Sequence, residues 1–441
     1  MYIPHSREET ARILSELGLM SLEDLFSHID PSLLRAPSSL PKPKSEQELR
    51  EYFGEIASLN RKSVIFAGAG SYDRIIPSVI PYILQRGELL TAYTPYQPEA
   101  SQGTLQAIFE YQTLIAELTG MEVANASLYD GASALAEGVL MAKGIKGKGS
   151  KVILSRAIHP LYRQVVKTYL LGYGDETVEI GFTGRGTTDL NALEDALKGG
   201  SVYALCVQYP NFFGYIEPLK DIGELADRYG VLFVVVADPV ALAVLKPPGD
   251  FGAHIVVGEG QQLGLPLSFG GPYVGFFATL ERFVRKMPGR LVGLAEDMEG
   301  RRAFTLVLQT REQHIRRERA TSNVCTNQSL LAVANLLYLC LLGRDGLKEV
   351  ASQSISKAFY LKNKLISIGF EEVFGGKHLW EFVLRHENAE RMRDVALGKG
   401  YLFGIPLKPF YGELENSLLL AVTEKRTKRE MDTLVRLLSD L

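Results

Sequence analysis

From about residue 62 to about 320, short apolar runs alternate with longer amphipathic stretches. The runs Lys151–Leu154, Tyr203–Val207, Val231–Val236, His254–Val257 and Tyr273–Phe277 are rich in β-branched and aromatic residues and predict strands. Between them, Tyr111, Leu114, Ile115 and Leu118 fall on one helical face. So do Leu190, Leu193 and Leu197, behind a cap at Thr188 or Asp189. Near-continuous apolar strands separated by helices predict an α/β fold, with a mostly parallel sheet covered on both faces. Ligands of such sheets bind beyond the carboxyl ends of the strands.

After an apolar helix around Gln328–Leu342 the pattern changes. Gly369–Val373, His378–Leu384 and Leu418–Val422 predict a second sheet, with helices near Ser354–Ile368 and Thr427–Leu438 packed on it. This predicts a smaller α+β domain. Residues 1 to about 60 are polar and helical in pattern, and the four prolines between Pro31 and Lys44 predict an extended connector. The expected division is a helical arm over 1–61, a large α/β domain over 62–325 and a small α+β domain over 326–441.

Composition narrows the class. The 441 residues are 46% hydrophobic and 22% charged, as in an ordinary soluble globular protein. A balance of 48 basic against 51 acidic residues points away from nucleic acid or an anionic membrane as the main partner. Cys206, Cys325 and Cys340 make no CxxC pair, so no metal or redox motif is read. Cys206 and Cys340 sit in apolar runs and are expected to be buried. The sparse, odd count fits a reducing cytoplasm. The start MYIPHSREET lacks the basic and apolar regions of a secretory signal. The run Leu330–Leu342 is shorter than the roughly 20 residues of a membrane span, which predicts a buried helix.

Six segments carry candidate chemistry. The stretch Ala92–Gly103, with two prolines, two tyrosines and Glu99, is a rigid polar loop, and by composition alone nothing more. Asn125–Ala134 places small residues before a helix, where free N–H groups favour an anion, although a plain capped helix has the same look. His159 follows a strand and can stack on a ring or serve a structural role. Asp238 follows Val231–Val236, as a partner for a protonated pyridine nitrogen or as a helix cap before Pro239. Asn211 ends the preceding strand at a second possible ring edge. The Arg- and Thr-rich strings Met287–Gly293, Gln309–Arg317 and Ala320–Gln328 suit a phosphate or carboxylate, or a solvated face.

As strings these segments are far more specific. TPYQPEASQG at Thr94–Gly103, EYQTLIAELTGMEVANASL at Glu110–Leu128, LQTREQHIRRE at Leu308–Glu318 and ATSNVCTNQ at Ala320–Gln328 closely resemble the P-protein glycine decarboxylases of the glycine cleavage system. Gly68–Asp73 resembles that family's G-G-Y segment, and the likeness runs from about residue 2 to about 440. It implies a fold-type I pyridoxal-phosphate-dependent transferase fold. In that fold Ser133 belongs to the phosphate turn, His159 to the ring-stacking position, Asp238 to the pyridine nitrogen and Asn211 to a ring edge. Gln261, in the string GEGQQLG, falls on the position of the Schiff-base lysine, and no lysine occurs from Pro247 to Arg285. A glutamine amide cannot form an imine.

The resemblance therefore implies the lysine-less half of P-protein, without catalytic residues when alone. Many members carry both halves in one chain, and this chain ends after one half. The implied partner is a homologous lysine-bearing subunit, two of each in a heterotetramer. That subunit would hold pyridoxal phosphate covalently, decarboxylate glycine and pass the aminomethyl group to the lipoyl arm of H-protein. Thr321, Tyr93, Tyr96 and Glu99 are the residues this chain would add to the partner's site. Two alternatives stand beside it. One is an autonomous pyridoxal enzyme using Lys246, only eight residues beyond Asp238 and next to Pro247-Pro248. The other is a purely structural or regulatory subunit.

Overall fold

The structure, a computed structural model, describes residues 5–34, 41–90 and 94–441. It divides into two units, Met1–Arg61 and Lys62–Leu441. In the first, the helices Arg7–Glu16 and Glu46–Ser58 each start at a capping box, Ser6 with Glu9 and Ser45 with Glu48. The expected extended connector opens instead on a 3₁₀ turn, Pro31–Leu33, because Asp30 caps it by accepting the Ser32 N–H. Residues 35–40 of that connector lie outside the described residues.

The second unit is built on a seven-stranded sheet. Its order from one edge is Val123–Ala124, Gly275–Thr279, Ile255–Glu259, Leu232–Ala237, Val202–Tyr209, Lys151–Ser155 and Glu176–Ile180. Only Gly275–Thr279 runs antiparallel to its neighbours. The alternation of side chains along a strand decides which face each residue serves. Val152, Leu154, Val234, Val236 and Ile255 join one core with Leu135 and Val139 of the helix Gly131–Lys146. Ile153, Phe233, Val235 and Val256 join the other with Tyr111 and Ile115 of the helix Gln102–Thr119. All six residues of Leu232–Ala237 are buried, the signature of a central parallel strand.

The five predicted strands are present within two or three residues at each end. Among the elements not predicted are an edge strand and a hairpin. The edge strand Glu176–Ile180 begins exposed and reads ETVEI, without an apolar run. The hairpin Val292–Glu296 with Arg302–Leu306 keeps one face polar.

A second, four-stranded antiparallel sheet follows the order Glu371–Glu372, Glu381–Arg385, Ser417–Ala421 and Ile405–Pro406. Leading into it is the helix Ser329–Ile366, broken at Gly343, which takes a positive φ of 58°. By length and apolar composition this helix passes for a membrane span. Ala332, Val333, Ala334 and Leu336 are nevertheless buried, as expected for a core helix. Cys206 is buried, but Cys340 is exposed. An apolar sequence run does not specify which side of a helix meets solvent.

Candidate functional site

Neighbouring parallel strands deliver the expected residues at their carboxyl ends. Ser155 leads to His159, Tyr209 to Asn211, Ala237 to Asp238 and Glu259 to Gln261. His159, Tyr162, Gln208, Asp238, Glu259 and Gln262 line one small cavity together with Gly70 and Tyr72.

His159 caps the helix Pro160–Leu170. Its Nδ1 accepts the Leu161 N–H at 3.1 Å, so the ring proton sits on Nε2, which donates to the Ala69 carbonyl at 3.0 Å. Burial pushes its pKa down to about 4 and keeps the imidazole neutral. Its ring stacks on Tyr162 at 4.8 Å between centroids and 26° between planes.

Asp238 realises the capping alternative. Its Oδ1 accepts the Val240 and Ala241 N–H groups at 2.9 and 3.1 Å. Its Oδ2 accepts Gln262 Nε2 at 2.6 Å. Burial pushes this carboxyl up, and the nearby Arg74 cation opposes the shift.

Gln261 is fully buried. Its Oε1 accepts the Tyr72 N–H at 2.9 Å, and its Nε2 donates to the carbonyls of Tyr72 and Leu265 at 3.1 and 2.9 Å. A lysine ammonium has donors only and cannot reproduce this two-way contact.

Ser133 lies in the first turn of Gly131–Lys146, but it serves the cap. Its N–H donates to Asp130 Oδ1 at 2.7 Å, and its hydroxyl bonds to the Asp130 backbone. Asn211 is buried away from the cavity lining. It donates to Glu217 Oε1 and the Gly186 carbonyl at 2.7 and 2.6 Å and accepts from the N–H groups of Phe213 and Tyr215. Lys246 is exposed and does not line the cavity.

Several groups that matter here escaped the sequence reading. Arg74 donates to Gln262 Oε1 at 2.9 and 2.7 Å, to Glu424 Oε2 at 2.7 Å and to Ser354 Oγ at 3.1 Å. Glu381 accepts the Tyr72 hydroxyl at 2.5 Å and the Ala69 N–H at 2.7 Å. Glu259 accepts the N–H groups of Gly131, Gln261 and Val274 at 3.0, 3.0 and 3.1 Å. Burial pushes both carboxyls up to about 8, against the donors that face them. Only the adjacency of Glu259 to Gln261 in GEGQ was a signal for any of these.

A second cavity shares no lining residue with the first. Arg290, Arg311, Glu312, Thr321, Ser322 and Cys325 border it, and Thr321 is half-buried. Tyr96, 45% exposed, donates to Glu312 Oε2 at 3.3 Å and accepts from Arg290 Nη2 at 3.1 Å. Arg290 Nε is buried without a hydrogen bond, and Arg311 donates only to the carbonyls of Met287, Gly289 and Leu308. Asn327 fixes this segment to the turn before Gly131 through the Ala126 carbonyl and Ser127 Oγ, at 3.1 and 3.0 Å. Glu99 is exposed on the 3₁₀ turn Pro98–Ala100. Tyr93 lies outside the described residues.

Residues 1–438 match the model of the family described as glycine cleavage system P-protein. The chain belongs to the glycine cleavage system P-protein family. It is 66% identical over 437 residues to the probable glycine dehydrogenase (decarboxylating) subunit 1 of Aquifex aeolicus strain VF5, covering 99% of this chain and 100% of that protein. It is 49% identical to the protein of the same description from Carboxydothermus hydrogenoformans, covering 99% of each. A crystal structure of glycine decarboxylase (P-protein) of the glycine cleavage system, in inhibitor-bound form, superposes with a TM-score of 0.92 at 44% identity, covering 100% of this chain and 99% of that one. A cysteine desulfurase from Thermococcus onnurineus NA1, at 15% identity and TM-score 0.64, covers 91% of this chain and 99% of its own and shares the fold alone. The P-protein fold is thus that of the fold-type I pyridoxal-phosphate-dependent enzymes.

The residues of this P-protein chain do not fit that cofactor. The cavity between His159 and Asp238 measures about 30 Å³, room for a water or two rather than for a phosphorylated pyridine ring. At the helix start where a phosphate would sit, two side-chain carboxyl groups, those of Asp130 and Glu259, already hold the N–H groups of Ser133 and Gly131.

Proposed function

We propose that this chain is the lysine-less subunit of a split glycine decarboxylase. The observation that carries the reading is a P-protein match over residues 1–438, together with a buried, hydrogen-bonded Gln261 at the position that the resemblance assigns to the anchoring lysine. Its partner is a lysine-bearing subunit that holds pyridoxal phosphate covalently, in a cytoplasmic complex of two plus two. That complex decarboxylates glycine and passes the aminomethyl group to the lipoyl arm of H-protein. Residues 62–325 act as the large domain, 326–441 as the small domain and 1–61 as an arm.

The arm supports a partner of this kind. Leu49, Tyr52, Phe53 and Ile56 follow helical spacing on Glu46–Ser58 and are 40, 48, 59 and 41% exposed. Such an apolar stripe left open to water marks an interaction surface. This chain's contribution to the reaction is a wall. Arg290 and Thr321 border a polar cleft, and Tyr96 bonds to Arg290 and Glu312 at its edge. Glu99 follows Tyr96 in the same sequence run, and these residues together with Tyr93 orient groups on the partner's side and exclude water.

The test is co-expression with a lysine-bearing subunit, followed by glycine–carbon dioxide exchange on each chain and on the pair. Exchange by the pair alone is the expected result. Exchange by this chain alone, with a visible absorbance bleached by borohydride, would establish an autonomous pyridoxal enzyme instead.

A further inference from the structure

A lysine-to-glutamine change removes a covalent anchor and leaves the rest of a pocket to be explained. In this chain each remaining subsite is occupied from within. At the start of Gly131–Lys146, Glu259 supplies a carboxyl group whose two oxygens engage three N–H groups. Anions at a helix start are favoured by the dipole and the free donors. On the imidazole of His159 lies the ring of Tyr162. At Asp238, the amide N–H of Gln262 donates at 2.6 Å, as a protonated pyridine nitrogen would. Arg74 holds that amide in place through Oε1.

The closure is tight at Gly131. A Cβ there would come within 2.5 Å of the Tyr162 hydroxyl and 3.0 Å of Glu259 Cβ. Tyr162 and Glu259 therefore converge on the same helix start. A second carboxylate, Asp130, sits beside them as the helix cap. Between them the two side chains take up N–H donors of Gly131 and Ser133 that would have held a phosphate.

We infer that Glu259, Tyr162 and Gln262 shut this pocket by standing in for the phosphate, the ring and the pyridine N–H of the cofactor. It follows that a lysine restored at position 261 would not by itself bring the cofactor back. The missing lysine and the filled pocket are two separate losses, and the second suffices to keep the chain free of cofactor.

The test uses pyridoxine 5′-phosphate, which lacks the aldehyde and so does not react with surface lysines. Binding is measured by equilibrium dialysis on the full chain, on Gln261→Lys, on Tyr162→Ala and on Glu259→Ala/Tyr162→Ala. The wild-type chain and Gln261→Lys are expected to show no saturable binding up to about 1 mM, and the opened variants to bind at least about tenfold more tightly. One-to-one binding by the wild-type chain at micromolar concentration would overturn the inference. So would opened variants that melt like the wild type yet bind no better. If the double variant loses its cooperative melt, Tyr162→Ala carries the comparison alone, because that ring is only half-buried. The assay contains neither glycine nor a partner subunit. Binding by the wild type would therefore sink the closure and leave the split-decarboxylase reading standing.

Discussion

Arg74 and Arg290 are both buried arginines, 3% and 5% exposed, in two polar regions of the same unit. Arg74 finds an acceptor for Nε and for both terminal nitrogens, with Glu424 at 2.7 Å. Arg290 leaves Nε without a hydrogen bond, and its carboxylate, Glu312, lies 3.9 Å away. The same contrast runs through their surroundings. Asp238, Gln261, Gln262, Glu259 and Glu381 are all committed to partners inside the chain. Around Arg290 a tyrosine is 45% exposed, and Arg311 has only carbonyls to donate to. A polar region whose groups are satisfied internally holds a structure together. One that leaves a buried cation short of a partner beside an exposed tyrosine is suited to another molecule.

That contrast can be broken by experiment. The largest effect is expected from Arg74→Ala, which leaves Glu424 buried and uncompensated. It should cost about 3–5 kcal/mol in urea unfolding. If it costs no more than Arg290→Ala, the distinction between the two regions fails. Gln261→Ala removes one acceptor and two donor contacts at a fully buried position and should cost about 2–3 kcal/mol in the same assay. Tyr96→Ala and Thr321→Ala should change stability by less than about 1 kcal/mol. They should nonetheless lower glycine–carbon dioxide exchange by the complex about tenfold, or ~1.4 kcal/mol of barrier. Unchanged exchange would reassign the chain as a scaffold or regulatory subunit.

A further prediction concerns pH. The carboxyls of Glu259 and Glu381 are pushed from 4.5 to about 8 in the folded chain. The folded form thus keeps protons that the unfolded chain releases. This stabilisation is complete below pH 4.5 and is lost as pH rises through about 8. Glu259→Gln should flatten the fall in melting temperature over that window, and an unchanged slope would show that Glu259 does not hold the proton. The flattening is partial because Glu381 titrates in parallel. His159 acts in the opposite direction. Its pKa falls from 6.5 to about 4, so its contribution is lost as pH drops through that range.

Much of this molecule was legible along the chain. Val231–Val236 is apolar without interruption, and it lies at the centre of the parallel sheet as Leu232–Ala237. Thr188 or Asp189 was expected as a cap, and Asp189 accepts the Asn191 and Ala192 N–H groups. His159 and Asp238 were placed at strand ends, where the fold holds them. Asn211 was expected at a ring edge and instead braces a turn against Glu217, because its amide finds nearer partners there. Glu176–Ile180 was not legible, since an edge strand needs no apolar run.

By itself the sequence determined the alternating fold, the family strings and the absence of a lysine at position 261. Each of these follows from residues close together in the chain or from one residue's identity. Only the tertiary structure decided that the pocket is full. Glu259 meets Gly131 across 128 positions, and Arg74 meets Glu424 across 350. Periodicity reports which face of an element is buried, but polar satisfaction depends on which distant groups the sheet brings within about 3 Å of one another.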